Sequence, residues 1–542
     1  MPKPKSPFTR RSFLKTSLAA AAGAASLPIA SHAFRRPTAK YIRYNVTSEG
    51  GQKAIKSYNI AIEQMLKLPP THPHNWFRNA FVHLMDCPHG NWWFYVWHRG
   101  FLGYFEETIR NLSGDSTFAF PYWDWTTLPE IPAVMFDGVL TPTAEPYAPF
   151  TRTLDVFTAF IQPPMMAYWD TLSPAQRNQL NIRGYTDFNK MWNEVTGNGD
   201  PSNQAFATTA NARYLTRENP KLDPDTYKNC EPSTILAGLS PTDFYNESVS
   251  LSFTSKKTES HNSMPQRGAF SMLEGLPHNI IHNYIGGVTN IDPGPYGNMT
   301  NNLSPVDPLF FLHHSNMDRL WDVWTRKQQS RGLPILPPEP DLDTLKKEPF
   351  LFFVNGEGKF VGDSTAGEYL SMERFDYEYE PGGFPNTLLQ TSSARQKRGQ
   401  VLVKGTVSGN KATLSLPSAS IKEHLATSAA AASLVAEVTV PNPGLSSPTR
   451  EFHVLVGAPA DVTEADPKSP YYAGTVAFFG NMSHAHGSNA DATFAVPLPK
   501  APQAFKGLAA ATASVNIRIV PAYGRRQTPA VLKAAIVRAV EF

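Results

Sequence analysis

Hydrophobic positions along this chain change their period once, near residue 380. Upstream, apolar residues recur every three or four positions over Asn75 to Arg110, Leu276 to Tyr284 and Leu309 to Gln328. That spacing predicts helices that bury one face. Downstream come short alternating runs: Val401 to Val407, Ala412 to Leu416, Leu434 to Val440, Glu451 to Val456, Thr475 to Phe479, Thr493 to Val496 and Val515 to Val520. Alternation with turn residues between the runs predicts a small β-sandwich or barrel. Between the two textures, Pro381-Gly382-Gly383 and Ser392-Ser393-Ala394-Arg395-Gln396-Lys397-Arg398-Gly399 read as an exposed linker. The expected organisation is a mainly α domain over residues 40–380, a linker and possible cleavage region over 381–400, and an all-β C-terminal domain over 401–542.

The first 33 residues have a different character. Thr9-Arg10-Arg11-Ser12-Phe13-Leu14-Lys15 precedes a small, apolar stretch from Ser17 to Ala30 and then Ser31-His32-Ala33. A basic start, a short apolar region and a small-x-Ala site describe a signal peptide. The twin arginine is similar to the Tat type, which exports folded proteins, so a periplasmic or secreted location is expected. The apolar run is too short for the ~20 residues of a membrane span, so no stable membrane anchor is expected. A formal charge of +3 over 542 residues removes the electrostatic argument for nucleic acid. With 41% hydrophobic and 18% charged residues the chain is not disordered, and its 48 prolines predict long loops. Two cysteines cannot make a disulfide framework.

The chemistry lies in the histidines. Of 15, seven fall in two segments of the helical part: His83, His89 and His98, then His278, His282, His313 and His314. His278 and His282 are four apart, so one helix face presents both to a single ion. His89 and His98 are nine apart, half a turn out of phase, so His89 must enter from a loop, which Pro88 and Gly90 permit. Each segment can thus supply three imidazoles: His83, His89 and His98, then His278, His282 and one of His313 and His314. All-imidazole ligation suits copper or zinc and disfavours magnesium or calcium. A mononuclear zinc hydrolase would need a general base such as the Glu of His-Glu-x-x-His, and that motif is absent. The aromatic belt of Trp92, Trp93, Phe94, Trp97, Phe310 and Phe311 would exclude water and favour a flat apolar substrate.

These residues resemble the tyrosinase, catechol oxidase and haemocyanin group of coupled binuclear copper proteins. The matching elements are His89 with Trp97-His98-Arg99-Gly100-Phe101-Leu102, Pro277-His278-Asn279-Ile280-Ile281-His282-Asn283, and Asp307-Pro308-Leu309-Phe310-Phe311-Leu312-His313-His314-Ser315-Asn316-Met317-Asp318-Arg319-Leu320-Trp321. The resemblance implies a four-helix-bundle core with two copper ions and O2 as co-substrate. Copper A would be held by His83, His89 and His98, and copper B by His278, His282 and His314. His313 would then face away and touch a ligand from outside, and Asp318 resembles the family's structural aspartate. Glu274 and Asn279 resemble the pair that holds a proton-accepting water in tyrosinase-like members, although Glu274 also reads as a charge favoured at a helix N-terminus. Cys87 stands where fungal and molluscan relatives carry a thioether to a copper A histidine, here His89. A Cys87–Cys230 disulfide and a free buried thiol are the other readings.

The activity implied is ortho-hydroxylation of monophenols and oxidation of o-diphenols to o-quinones, with L-tyrosine, L-DOPA or catechol-like compounds as substrates. A catechol oxidase without monophenolase activity, a haemocyanin-like O2 carrier and, more weakly, a dinuclear metallohydrolase are the alternatives. The strand Thr475-Val476-Ala477-Phe478-Phe479-Gly480 resembles the region from which the family's C-terminal domain plugs the active site, with Phe479 and then Phe478 as the plug residue. The β domain would then be an inhibitory lid that an activating protease removes near Arg395 to Arg398.

Overall fold

Five helices frame the helical half, and the sequence states where each one starts and stops. Helix α1 (Glu49–Lys67) is capped by the Ser48 side chain on Gly51 N. Helix α2 (Trp76–Asp86) is capped by Asn75, whose side chain accepts from Phe77 N and Arg78 N. Helix α3 (Phe94–Ser113) stops at Gly114, which takes a left-handed φ of 75°. Helix α4 (Asn279–Gly286) follows a π-helical turn, Glu274–His278. Pro277 lies inside that turn and has no N–H to give, which favours the wider winding. Helix α5 (Leu309–Ser330) starts where Asp307 accepts from Leu309 N at 2.9 Å.

The computed structural model describes residues 39–263, 268–288, 290–291, 294–381, 400–426, 433–441, 449–462, 465–480, 491–522 and 530–540. The expected leader at 1–33, and the expected linker at 381–400 apart from its two end residues, lie outside them. The apolar run from Asn75 to Arg110 proves to be two helices parted by the loop 87–93. A further helix, Leu154–Thr171, was hidden from periodicity by Pro163 and Pro164 in its interior.

Among the described residues five short strands belong to the helical half: β1 (Tyr41–Arg43), β2 (Ala269–Phe270), β3 (Tyr377–Tyr379), and the segments Pro349–Phe350 and Ser364–Thr365, which pair with each other. The rest form the C-terminal half: β4 (Gln400–Lys404), β5 (Thr406–Ser408), β6 (Lys411–Pro417), β7 (Ser433–Pro441), β8 (Glu451–Val456), β9 (Tyr472–Ala477), β10 (Asp491–Pro497), β11 (Thr512–Pro521) and β12 (Ala534–Val540). They make two five-stranded sheets, ordered β9-β8-β11-β6-β5 and β2-β10-β7-β12-β4. Leu414, Val438, Val454, Phe494, Val515 and Ile517 fill the space between the sheets. Strand β6 alternates buried and exposed residues, as a sheet with one wet face must. Strands β8 and β9 are buried at every residue, because their outer face presses on the helical half. Strand β2 extends the second sheet by pairing with Thr493 and Phe494, so the two halves share a sheet.

The ends of the helical half are tied at one carboxylate. Strands β1 and β3 pair in parallel, Arg43 opposite Tyr379. Buried Asp318 of α5 accepts from Arg43 Nη1 at 2.9 Å, Arg99 Nε at 2.7 Å, Tyr379 OH at 2.6 Å and Tyr377 OH. Burial opposes its charge, but Arg99 and Arg43 hold the carboxyl below its ordinary range. Asp318→Asn would leave buried Arg99 without its carboxylate and Arg43 with Glu106 alone, 2.8 Å from its Nε. The expected loss is about 3–5 kcal/mol in urea-unfolding free energy; a loss within error of zero would show that the lattice is dispensable.

Candidate metal centre

Seven imidazoles meet between α2, α3, α4 and α5, six of them buried and His89 half-buried. His83 comes from the last turn of α2, His89 from the loop after it, and His98 from the start of α3. His278 ends the π turn, His282 lies one turn on in α4, and His313 and His314 sit early in α5. The rings of His83, His89 and His98 stand 5.4, 5.5 and 5.6 Å apart. Those of His278, His282 and His314 stand 4.6, 5.1 and 5.4 Å apart. The two triangles face each other, with His89 5.6 Å from His278 and His98 stacked 4.1 Å from His314.

The hydrogen bonds fix which nitrogen each triangle offers. Nδ1 of His83 donates to Asn302 O at 2.8 Å, that of His98 to Phe94 O at 2.7 Å, and that of His282 to Met299 O at 2.6 Å. A carbonyl can only accept, so each Nδ1 carries the proton and each Nε2 keeps its lone pair. His278 donates to Asn279 Oδ1 at 2.8 Å, and Asn279 is oriented by giving its own Nδ2 to Ala477 O at 2.8 Å. The Nε2 atoms of His83, His89, His98 and His278 are buried without a hydrogen-bond partner. Burial drives all seven imidazoles below their ordinary pKa, His98 and His278 to about 3. Neutral rings with inward lone pairs are metal ligands in waiting.

His313 touches two of the expected ligands, as the resemblance implied, but does not face away from the centre: its ring lies 5.2 Å from His278 and 4.7 Å from His282, and it leans on Trp125 at 4.8 Å. The donor atoms of His278, His282, His313 and His314 all lie within 4.8 Å of one another. Of the aromatic belt, Phe94, Trp97 and Phe310 touch the histidines. Trp92, Trp93 and Phe311 pack elsewhere, Trp92 on Tyr245 and Phe311 on Phe105 and Phe120.

Glu274 accepts from Gly90 N at 2.6 Å and from Ser255 Oγ, so it ties the His89 loop to the π turn that carries His278. Burial pushes its carboxyl up to about 8, against those two hydrogen bonds. No signal in the sequence pointed to Ser255. Cys87 and Cys230 are both free and buried; Cys230 donates to Thr226 O at 3.1 Å. The Cys87 Sγ lies 3.5 Å from His89 Nδ1 and 3.3 Å from Arg183 Nη2. Phe479 follows β9 and reaches into the centre, 4.5 Å from the His282 ring, 4.7 Å from His89 and 5.6 Å from His278. Phe478 points the other way, against Phe494 of the β core.

A four-helix bundle holding two imidazole triangles defines a binuclear metal centre of the all-histidine class. The common central domain of tyrosinase matches residues 58–327. Chloroplastic polyphenol oxidase II of Ipomoea batatas is 25% identical over 348 residues, covering 61% of this chain and 48% of that protein. A tyrosinase of Hahella sp. is 26% identical over 332 residues, covering 60% and 53%. The chain therefore spans about half the length of the curated relatives it matches. The solved structure of latent apple tyrosinase shares the fold, with a TM-score of 0.52 and 17% identity over 94% of this chain and 97% of that one. The chain belongs to the tyrosinase and polyphenol oxidase family. Members of that family are type 3 dicopper proteins, and the unpartnered Nε2 atoms, with no carboxylate in either donor group among the described residues, fit copper. Metal analysis is expected to find two coppers per chain in the parent and one in His98→Ala or His278→Ala. Equal loss of both metals in each variant would contradict two separate triangles.

Proposed function

We propose that this chain is an O2-dependent phenol oxidase, hydroxylating monophenols and oxidising o-diphenols to o-quinones, and that its β half keeps it latent. The observation that carries this reading is the Phe479 ring seated against His89, His278 and His282, where a flat phenol would lie. Bound copper would supply the electron exchange with O2. The chain's own part is to hold His83, His89 and His98 on one side and His278, His282 and His314 on the other, and to keep water out with Phe94 and Phe310.

Glu274 and Asn279 support hydroxylation as well as oxidation. A carboxyl raised to about 8 is a stronger base than an ordinary glutamate and, once ionised towards pH 8, is suited to taking a phenol proton. In the docked state the Asn279 amide is engaged by His278 and by Ala477 of β9. Withdrawal of β9 frees Nδ2 to hold a water for Glu274. The short approach of Cys87 to His89 supports a thioether that would pin a ring no helix holds. Residues 1–33 support export through the Tat machinery to the periplasm or medium, and Arg395 to Arg398 support release by a protease.

Turnover of L-tyrosine and catechol, measured before and after limited trypsin treatment, tests the reading. Clipped protein and Phe479→Ala are both expected to gain roughly tenfold or more, the equivalent of about 1.4 kcal/mol of blocking contact. Negligible turnover in the clipped form would favour an O2 carrier, and a Phe479→Ala variant no faster than the parent would remove the plug.

Docking should also respond to pH through Glu451. It lies on β8, accepts from Asn283 Nδ2 at 2.9 Å, and is pushed up to about 8 by burial. Asp223 and Asp225 add to that shift, while Asn283 and Arg450 oppose it. Undocked, a glutamate titrates near 4.3. The docked state therefore binds the extra proton between those values, and docking is strongest below about 4.3 and weakens as pH rises towards 8. Size-exclusion chromatography of clipped protein is expected to show more free β half at pH 9 than at pH 5, and Glu451→Gln to flatten the difference. Equal release at both pH values in the parent would rule Glu451 out.

A further inference from the structure

Of the buried imidazoles outside the metal centre, His261 is held between two carboxylates. His261 is 1% exposed, with Nδ1 2.6 Å from Glu348 Oε1 and Nε2 2.9 Å from Asp86 Oδ1. A carboxylate on each nitrogen asks both to donate, which the imidazolium does. Burial opposes that charge, but Asp86 and Glu348 outweigh it and raise the ring to about 9.

What His261 grips is the first triangle. Asp86 is the last residue of α2, three after His83 and three before His89. Its second oxygen accepts from Trp97 Nε1 at 2.7 Å, and the Trp97 ring packs 5.0 Å from His98 and 5.8 Å from His83. The carbonyl of His261 accepts from Asn91 Nδ2 at 2.9 Å, two residues beyond His89. Next to it, Asn262 Nδ2 donates to Asp86 Oδ1 at 3.0 Å. Its Oδ1 accepts at 3.3 Å from Arg183 Nη1, which also holds Cys87 O at 2.7 Å. The end of α2, the His89 loop and the start of α3 are thus fastened to two consecutive residues. None of these bonds runs to the segments that carry His278, His282, His313 or His314.

We infer that His261, clamped between Asp86 and Glu348, is a positioning residue for the His83–His89–His98 triangle alone, setting the spacing of its three segments and so its hold on one copper. The inference rests on the dicopper reading. The natural precedent in physical terms is the partner shell of a metal site, whose loss weakens metal affinity by about 10–100-fold.

The test is copper binding by the full-length chain, stripped and then titrated with Cu(II), with stoichiometry read by metal analysis. His261→Ala is expected to hold about one copper where the parent holds two. Combined with His98→Ala it should still hold one, and combined with His278→Ala it should hold none. Glu348→Gln, which leaves the Asp86 bond in place, should weaken one of the two coppers roughly tenfold and spare the other; it carries the test if His261→Ala does not fold. Two tightly held coppers in both variants, or equal weakening of both, would overturn the inference and leave the dicopper reading standing. A parent chain with fewer than two coppers would overturn both.

Discussion

Everything this protein can do depends on keeping seven imidazoles neutral, dry and aimed. A lone pair with no hydrogen to accept is a cost in a buried site, of the order of 1–3 kcal/mol for each unsatisfied group. The chain carries several of them in contact, at the Nε2 atoms of His83, His89, His98 and His278. It does so by giving the Nδ1 protons of His83, His98 and His282 to backbone carbonyls, which removes the other tautomer. Protonation would relieve the lone pairs, yet burial and the neighbouring rings forbid it. A metal that accepts imidazole is the remaining way to satisfy them, so geometry makes the centre a metal site, and membership of a dicopper family makes that metal copper.

The same economy of polar groups explains how the β half is held. Asn279 and Asn283 follow His278 and His282 directly, and both turn their amides outward to the strand that carries the plug. Arg450 then holds the carbonyl of Gly480 just beyond Phe479 at 2.9 Å, and Thr300 O accepts from Gly480 N. The β half thus contacts residues adjacent to the ligands by hydrogen bonds, while Ala237, Val249, Met272 and Leu276 of the helical half pack into its apolar core and Phe270 stacks on Phe494 at 5.0 Å.

Much of this was legible in the sequence, and the parts that were not have physical reasons. The four-residue spacing of His278 and His282 and the half-turn mismatch of His89 and His98 placed those rings correctly, because helical geometry is set by spacing alone. The switch from period three or four to period two marked the β half for the same reason. His313 was misjudged because a helix position 100° from His314 turns away from a partner on one side, but not from a centre that several helices surround. The helix Leu154–Thr171 was missed because its interior prolines speak for a break unless packing overrides them. Ser255 and His261 left no trace, since their roles come from contacts across many residues of chain.

That last group exposes an asymmetry between the two triangles. His278 and His282 are a turn apart on continuous helical backbone, and His314 adds one ring from a second helix. The positions of His278 and His282 are set by local intrahelical hydrogen bonds. His83, His89 and His98 come from a helix end, a loop and a helix start, and no intrahelical bond spans the gap at residues 87–93. Such a triangle can be kept within metal-bonding tolerance only by bonds from outside, and those observed include bonds to Asn302, Glu274, Arg183, Lys256 and the His261–Asn262 pair. Glu274 is the single member of that set that also belongs to the π turn carrying His278, so it fixes the distance between the triangles while His261 and Asn262 fix the shape of one. Spacing between two metals and the hold on each are therefore set by different residues, and a change in one can leave the other intact.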